Sequence, residues 1–233
     1  MSDPITFAVG DVHGCFDELQ SLLAVYDSVS MGRRARFVFV GDYVDRGPDS
    51  SKVVDFLIEN QLREKNRFIC LCGNHEDLLI RAAREDRTDR DLMNWWANGG
   101  EQTLDSYGVN DPSELPAEHL AWINSLPLTF AEHGRLFVHA GIRPGVSISD
   151  QAEHDLMWIR EPFLSSEASY GAFVIHGHTP TESRLPDLRP NRLNIDTGAC
   201  FGGALTGALF TGSAALPALF FNSEADIWPP RAI

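Results

Sequence analysis

Three apolar runs near the start of the chain each end in a glycine followed by residues able to bind a cation. They give Gly10-Asp11-Val12-His13-Gly14, Gly41-Asp42-Tyr43-Val44-Asp45-Arg46-Gly47 and Gly73-Asn74-His75-Glu76. Two further clusters follow in the second half, Val138-His139-Ala140-Gly141 and His176-Gly177-His178-Thr179. One Asp-x-His after a strand reads as a helix cap beside a surface histidine, but five such clusters at strand ends do not. Carboxylate oxygen combined with imidazole nitrogen suits manganese, iron or zinc better than the all-oxygen shells of calcium and magnesium. Asp42 has two carboxylate oxygens and could bridge two ions. Two cations about 3.5–4 Å apart hold a shared water, lower its pKa and offset the charge that builds on phosphate oxygens. The adjacent glycines let the chain turn sharply and let a bulky phosphate approach. The chemistry implied is phosphoryl or acyl hydrolysis.

Such residues must be placed by rigid elements. The runs Ile5 to Gly10, Phe37 to Gly41 and Phe68 to Gly73 are short, apolar throughout and rich in Val, Ile or Phe, the signature of strands buried on both faces. Between them, Phe16 to Tyr26 and Ser50 to Asn60 carry apolar residues at three- and four-residue spacing and predict helices. Alternating strand and helix implies a parallel sheet with right-handed crossovers, and open α/β sheets bind ligands past the carboxyl ends of their strands. From Glu76 to about Tyr107 the pattern is helical and polar, and Leu115 to Ser125 predicts another helix. Residues of about 80–127 thus read as a helical insert or cap within a single domain spanning 1–233. Strands are expected again at Leu136 to His139, Phe173 to His176, Leu193 to Asp196, Leu205 to Phe210 and Leu219 to Asn222, the last three antiparallel. Trp228 to Arg231, rich in Pro, reads as a loose tail.

The bulk numbers exclude several classes. The chain has 233 residues, 43% of them hydrophobic, enough to bury a core unaided. Nineteen Lys and Arg stand against 33 Asp and Glu, a formal net charge of −14 that argues against a nucleic-acid partner. Cys15, Cys70, Cys72 and Cys200 form no Cys-x-x-Cys pair and read as free thiols in a reducing cytoplasm. Neither a basic, apolar leader nor any run of 18 apolar residues occurs, so no membrane span is expected.

Together the five clusters resemble the signature of the metallophosphoesterase superfamily, and Gly-Asp-Tyr-Val-Asp-Arg-Gly resembles its phosphoprotein phosphatase branch in the short bacterial and phage-type form. The resemblance runs from about Phe7 to Phe210. It implies an α/β fold, a β-sandwich of two mixed sheets flanked by helices, the calcineurin-like metallophosphoesterase fold. It implies two divalent metal ions, manganese first with iron or zinc as alternatives. Asp11, His13 and Asp42 would hold one metal, and Asp42, Asn74, His139 and His178 the other. Pro180 stands where many superfamily members have a further histidine, a departure usual in the phosphatase branch. By the same resemblance His75 would protonate the leaving group, Asp45 would orient its ring, and Arg46 and Arg160 would grip the phosphoryl oxygens. The implied activity is a protein serine/threonine phosphatase acting on a phosphorylated protein or peptide, with phosphotyrosine a further possibility.

The rival reading is a diadenosine polyphosphate hydrolase with the same site. Asp196 to Thr206 resembles a segment common to such enzymes and to bacterial protein phosphatases. The symmetric dinucleotide hydrolases typically have Ala where this chain has Asp45, which favours the phosphatase. A non-catalytic metal-binding scaffold is set aside because it would need neither His75 nor Arg46. Glu76 and Asp77 read as acids at a helix start, and His119, His133 and His154 as surface residues. His176 and the pair Trp95 and Trp96 stay open between site and core.

Overall fold

The computed structural model describes residues 5–30, 32–64 and 66–230. The first part alternates as β1 (Ile5–Val9), α1 (Phe16–Ser30), β2 (Ala35–Phe39), α2 (Ser50–Arg63) and β3 (Phe68–Cys70). A helical stretch follows: α3 (Asn74–Ala83), α4 (Asp89–Ala97), α5 (Gly100–Tyr107) and α6 (Ala117–Asn124). The rest comprises β4 (Thr129–Glu132), β5 (Arg135–Val138), α7 (Glu153–Trp158), β6 (Phe173–His176), β7 (Asp187–Leu188), β8 (Arg192–Asn194), β9 (Thr206–Thr211), β10 (Leu219–Asn222) and β11 (Ile227–Trp228).

These strands form two mixed sheets flanked by helices, as expected. One has the order β11-β10-β9-β1-β2-β3 and the other β4-β5-β6-β8-β7. β1, β2 and β3 are parallel, each joined to the next by a helix because a parallel return must cross the length of the sheet. β1 is buried at every position, and its side chains alternate between two cores. Ile5, Phe7 and Val9 meet α1 and α2, whereas Ala8 faces the second sheet together with Val38, Phe137, Ile175 and Leu193. Both faces being covered is why the run is apolar throughout rather than alternating.

Two expectations about the second half need correcting. Leu193 is not in an antiparallel set with the last two strands: β8 lies parallel to β6 in the second sheet, with Leu193 opposite Ile175. The segment between them includes β7, which turns back onto β8, and is long enough for a parallel return. Of those three strands, only β9 and β10 extend the first sheet antiparallel. The tail is not loose through Trp228, because β11 pairs with β10 and Trp228 packs on Phe220 at 6.0 Å between ring centroids. Arg231 lies outside the described residues. The four cysteines are unpaired.

Helices α3 to α6 close over a further core that they share with neighbouring elements. Leu79, Ala82, Trp95, Leu104, Leu115 and Ile123 pack together with Val54 of α2 and with Val44 from the loop after β2. That loop carries several of the polar residues singled out above, so the insert is packed directly against it. No helix among the described residues is long and apolar enough to cross a membrane.

The centre of the first core is Phe7, fully buried and stacked on Phe221 at 4.4 Å with an interplanar angle of 3°. Phe7→Ala should lower the unfolding free energy by about 3–5 kcal/mol, from lost burial plus the cavity left behind, read as a lower urea midpoint at unchanged m-value.

Candidate metal centre and active site

The parallel strands β1, β2, β3, β5 and β6 all release their chains into one cluster of loops, and the polar clusters sit there. The loops turn tightly. His13, Asp42, Asp45, Arg46 and His178 all have left-handed backbone, with φ of 44°, 53°, 70°, 70° and 67°. For residues other than glycine this costs on the order of 1–3 kcal/mol each and persists only where the surroundings over-determine it.

Asp42 is 1% exposed and sits between two histidine sets. Its Oδ2 lies 3.3 Å from His13 Nε2 and 3.9 Å from His75 Nε2. Its Oδ1 lies 3.3 Å from His139 Nε2. Asn74 Oδ1 is 2.8 Å from both His139 Nε2 and His178 Nδ1. Ligand atoms of His13, Asp42 and His75 fall within 4.8 Å of one another, as do those of Asp42, His139 and His178. The carbonyls of Val44 and Val40 accept from Nδ1 of His13 and His139, at 2.9 and 3.0 Å, which turns Nε2 of each ring inward. Asp11 belongs to neither triplet. Its Oδ2 accepts from the His178 amide at 2.9 Å, while its Oδ1 is buried without a partner.

The donor set fits divalent cations on physical grounds. Burial, followed by the charges of Asp196 and Asp42, pushes the Asp11 carboxyl well above the usual range, a cost that a cation beside it would relieve. Burial would also raise Asp42, but the surrounding His139, His75 and His13 hold it well below the usual range. Burial and the neighbouring His139 push His178 down to about 3, and burial lowers His139, so both rings stay in the neutral form that ligates metals.

The remaining expected residues surround this centre. His75 is fully buried; its Nδ1 is 2.8 Å from Asp45 Oδ2, and its Nε2 has no partner. Arg46 Nη1 approaches His13 Nε2 at 2.9 Å, with its guanidinium 5.1 Å above the Phe201 ring. Arg160 is exposed; it forms no ion pair among the described residues, and its charge helps to depress His178. Glu161, its possible surface partner, instead accepts from Ser165.

Several bland assignments change. Glu76 opens α3 as expected, but it is more than a surface acid there: it is fully buried and accepts from the amides of Asp42 and Tyr43 at 2.8 Å and Gly73 at 2.9 Å. Burial and the charge of Asp42 push its carboxyl up to about 8. His119 is not a surface residue: it is 6% exposed, with Tyr107 Oη at 2.9 Å and Asp55 at 3.2 Å. His133 and His154 are exposed as expected, His154 stacked on Trp158. His176 packs on Phe163 with Nδ1 at the Gly177 carbonyl, which places it in the core. Trp95 is fully buried with Nε1 at Asp45, whereas Trp96 is 48% exposed. Asp196 went unrecognised as a site residue. Its carboxyl is buried, accepts from the Gly198 amide at 3.0 Å and is pushed up to about 6 by burial. An acid ending an apolar run two residues before glycine was the available signal.

A family model described as calcineurin-like phosphoesterase matches residues 6–200. An asymmetrical bis(5'-nucleosyl)-tetraphosphatase PrpE of Halalkalibacterium halodurans is 30% identical, covering 87% of this chain and 88% of the relative. Serine/threonine-protein phosphatase 1 of Salmonella typhimurium is 29% identical, covering 86% and 89%. Among solved structures, a cold-active protein-tyrosine phosphatase from a psychrophilic Shewanella species superimposes with a TM-score of 0.68 at 16% identity, covering 97% of this chain and 80% of that one.

Gly177 offers a test of the centre that spares every proposed ligand. A methyl group there would lie 1.9 Å from Asp11 Oδ1. Gly177→Ala should displace that carboxylate and lower the bound metal, by elemental analysis, to about one ion per chain or fewer. Retention of two would mean that Asp11 does not ligate.

Proposed function

The chain belongs to the calcineurin-like phosphoesterase family, and within it we propose a dimetal hydrolase that cleaves the tetraphosphate bridge of a dinucleoside tetraphosphate off-centre. The observation that carries this reading is the 30% identity, over most of both chains, to an asymmetrical bis(5'-nucleosyl)-tetraphosphatase. It reverses the preference drawn from Asp45, and with reason. The absence of that acid was an argument about symmetric dinucleotide hydrolases, so its presence does not count against an asymmetrical one.

Asp11, His13 and Asp42 would hold one cation, and Asp42, Asn74, His139 and His178 the second, with manganese our reading of the mixed oxygen and nitrogen set. When bound, such a pair acidifies a shared water and offsets charge on the attacked phosphoryl group. The chain's own groups do the rest. Arg46, steadied by the Phe201 ring, and Arg160, which forms no ion pair among the described residues, grip phosphoryl oxygens through their planar forks. His75 keeps Nδ1 on Asp45 and presents Nε2 to the leaving oxygen.

The surroundings offer room for a base. Trp158, 6.1 Å from His178 between ring centroids, forms one wall of a pocket of about 360 Å³ whose polar lining includes Asn94, Asn98 and Asp77. An indole face stacks bases, and amide side chains can hydrogen-bond their edges.

A second reading, phosphoserine or phosphothreonine hydrolysis, is favoured by the His75–Asp45 pair and by the similarity to a serine/threonine phosphatase. An alkoxide leaves as a strong base and gains most from a proton donor, whereas a nucleotide leaves easily.

Diadenosine tetraphosphate and phosphopeptides should be compared on the manganese-loaded protein. We expect kcat/KM for the dinucleotide to be at least about tenfold higher, roughly 1.4 kcal/mol in the transition state. The products should be AMP and ATP by ion-exchange chromatography; ADP alone would overturn off-centre cleavage, and a reversed ratio would favour the second reading. Chelation should abolish either activity, with manganese restoring it better than magnesium; full activity without metal would refute the dimetal reading.

A further inference from the structure

Asp45 and Arg46 are consecutive residues, both left-handed at φ 70°, on a loop that no strand or helix contains. Something outside that loop must fix them; Ser50 of α2 accepts from the Asp45 amide at 3.1 Å, and among the described residues everything else that reaches the Asp45 side chain besides His75 comes from α4 and α5. Trp95 of α4 points its Nε1 at both carboxylate oxygens of Asp45, at 3.0 and 3.1 Å. Thr103 of α5 is used twice: its Oγ1 donates to Asp45 Oδ1 at 2.7 Å and accepts from the Asp45 amide at 2.8 Å. One hydroxyl therefore sets both the backbone and the side chain of the same residue. Asp45, Trp95, Thr103 and His75 are all fully buried.

The corner between α4 and α5 explains how the insert comes so close. The Arg46 amide donates to the Gly99 carbonyl at 3.0 Å. A Cβ at Gly99 would lie 2.8 Å from Arg46 Cγ, and one at Gly100 would lie 2.4 Å from the Trp95 ring. Gly99 also has φ 95°, so the Gly99-Gly100 pair is what allows the corner to fold over the loop.

We propose that Trp95 and Thr103 are positioning residues for the proton-donor pair. They hold the Asp45 carboxylate so that it accepts from His75 Nδ1 and leaves Nε2 turned toward the site. The proposal rests on the reading of His75 as proton donor. Its physical content is that Asp45 needs more than His75 to define its place. Without the indole N–H and the threonine hydroxyl, a buried carboxylate with left-handed backbone would keep one partner and could rotate to seek others. Displacement of a catalytic group by about 1 Å can cost on the order of a hundredfold in rate. That loss should fall on substrates in proportion to their need for protonation.

The test uses the manganese-loaded full chain and a series of phosphate monoesters, from 4-nitrophenyl phosphate, whose leaving group needs little help, to an alkyl phosphate, which needs most. His75→Asn serves as the reference and should steepen the dependence of kcat on leaving-group basicity, with about 10²–10⁴ lost at the alkyl end. Trp95→Phe and Thr103→Val should each steepen it in the same direction, raising the ratio of 4-nitrophenyl to alkyl rates about tenfold or more at unchanged metal content. Thr103→Ser, which keeps the hydroxyl, should restore the wild-type ratio. Equal losses across the series, or a Thr103→Ser variant no better than Thr103→Val, would overturn the proposal. So would an unchanged ratio in Thr103→Val, which decides the matter if Trp95→Phe does not fold. A His75→Asn variant with the wild-type dependence would instead overturn the proton-donor reading itself, and the positioning role with it.

Discussion

The arrangement depends on one carboxylate. Asp42 is buried, and its two oxygens face different histidine groups, His13 and His75 on one side and His139 on the other. A lone buried carboxylate is costly, so its surroundings must supply positive charge and hydrogen bonds. Glu76 supplies the frame. By accepting from the amides of Asp42, Tyr43 and Gly73 it ties the turn after β2 to the turn after β3. The two ligand-bearing loops are thereby held in one register. Gly73 completes the fit, since a Cβ there would lie 2.2 Å from Asp42 Oδ1. Asp11 and Asp196 add further buried acid, and the excess of carboxylate over nearby cationic side chains is what gives the site its demand for metal.

Much of this was legible in the sequence because its logic is local. Strands covered on both faces must be apolar throughout, which made β1, β2 and β3 readable, and their carboxyl ends are where such sheets place ligands. Asp11, His13, Asp42, Asn74, His139 and His178 each lie within a few residues of such an end. Position after a strand was therefore enough to single them out as candidates without any knowledge of contacts. β8 was misassigned because three residues carry no information about strand direction; only Leu193 opposite Ile175 decides it.

What could not be read is what long-range hydrogen bonds determine. Nothing near Glu76 in sequence shows that this acid at the start of α3 also turns inward to grip amides 33 and 34 residues away. Trp95 and Thr103 reach Asp45 across 50 and 58 positions. Each looks in sequence like an ordinary residue of an amphipathic helix. His119 was misjudged for the same reason, since its partners Tyr107 and Asp55 belong to other helices. Composition and periodicity describe a residue's neighbourhood along one element, whereas these roles arise where elements meet.

The geometry of α4 bears on how a shared centre can serve different substrates. Residues three and four apart share a helix face. Asp91, Asn94 and Asn98 follow that spacing along the wall of the pocket beside Trp158. Trp95, one residue on from Asn94, is turned by about 100° and reaches inward to Asp45 instead. One helix thus lines a pocket with one face and supplies a donor to the loop that carries Asp45 with the other. The two faces are covalently one body but chemically separate. Substitutions at positions 91, 94 or 98 can reshape the pocket without touching the indole that holds the carboxylate. On the proposed function, the outer face of α4 would meet the substrate's distal group, while the inner face would hold the proton-donor pair. This chain resembles a dinucleotide hydrolase and a protein phosphatase to nearly the same degree, at 30% and 29% identity. The proposed metal ligands and the His75–Asp45 pair would act on the phosphoryl group common to both, so likeness there does not tell the substrates apart.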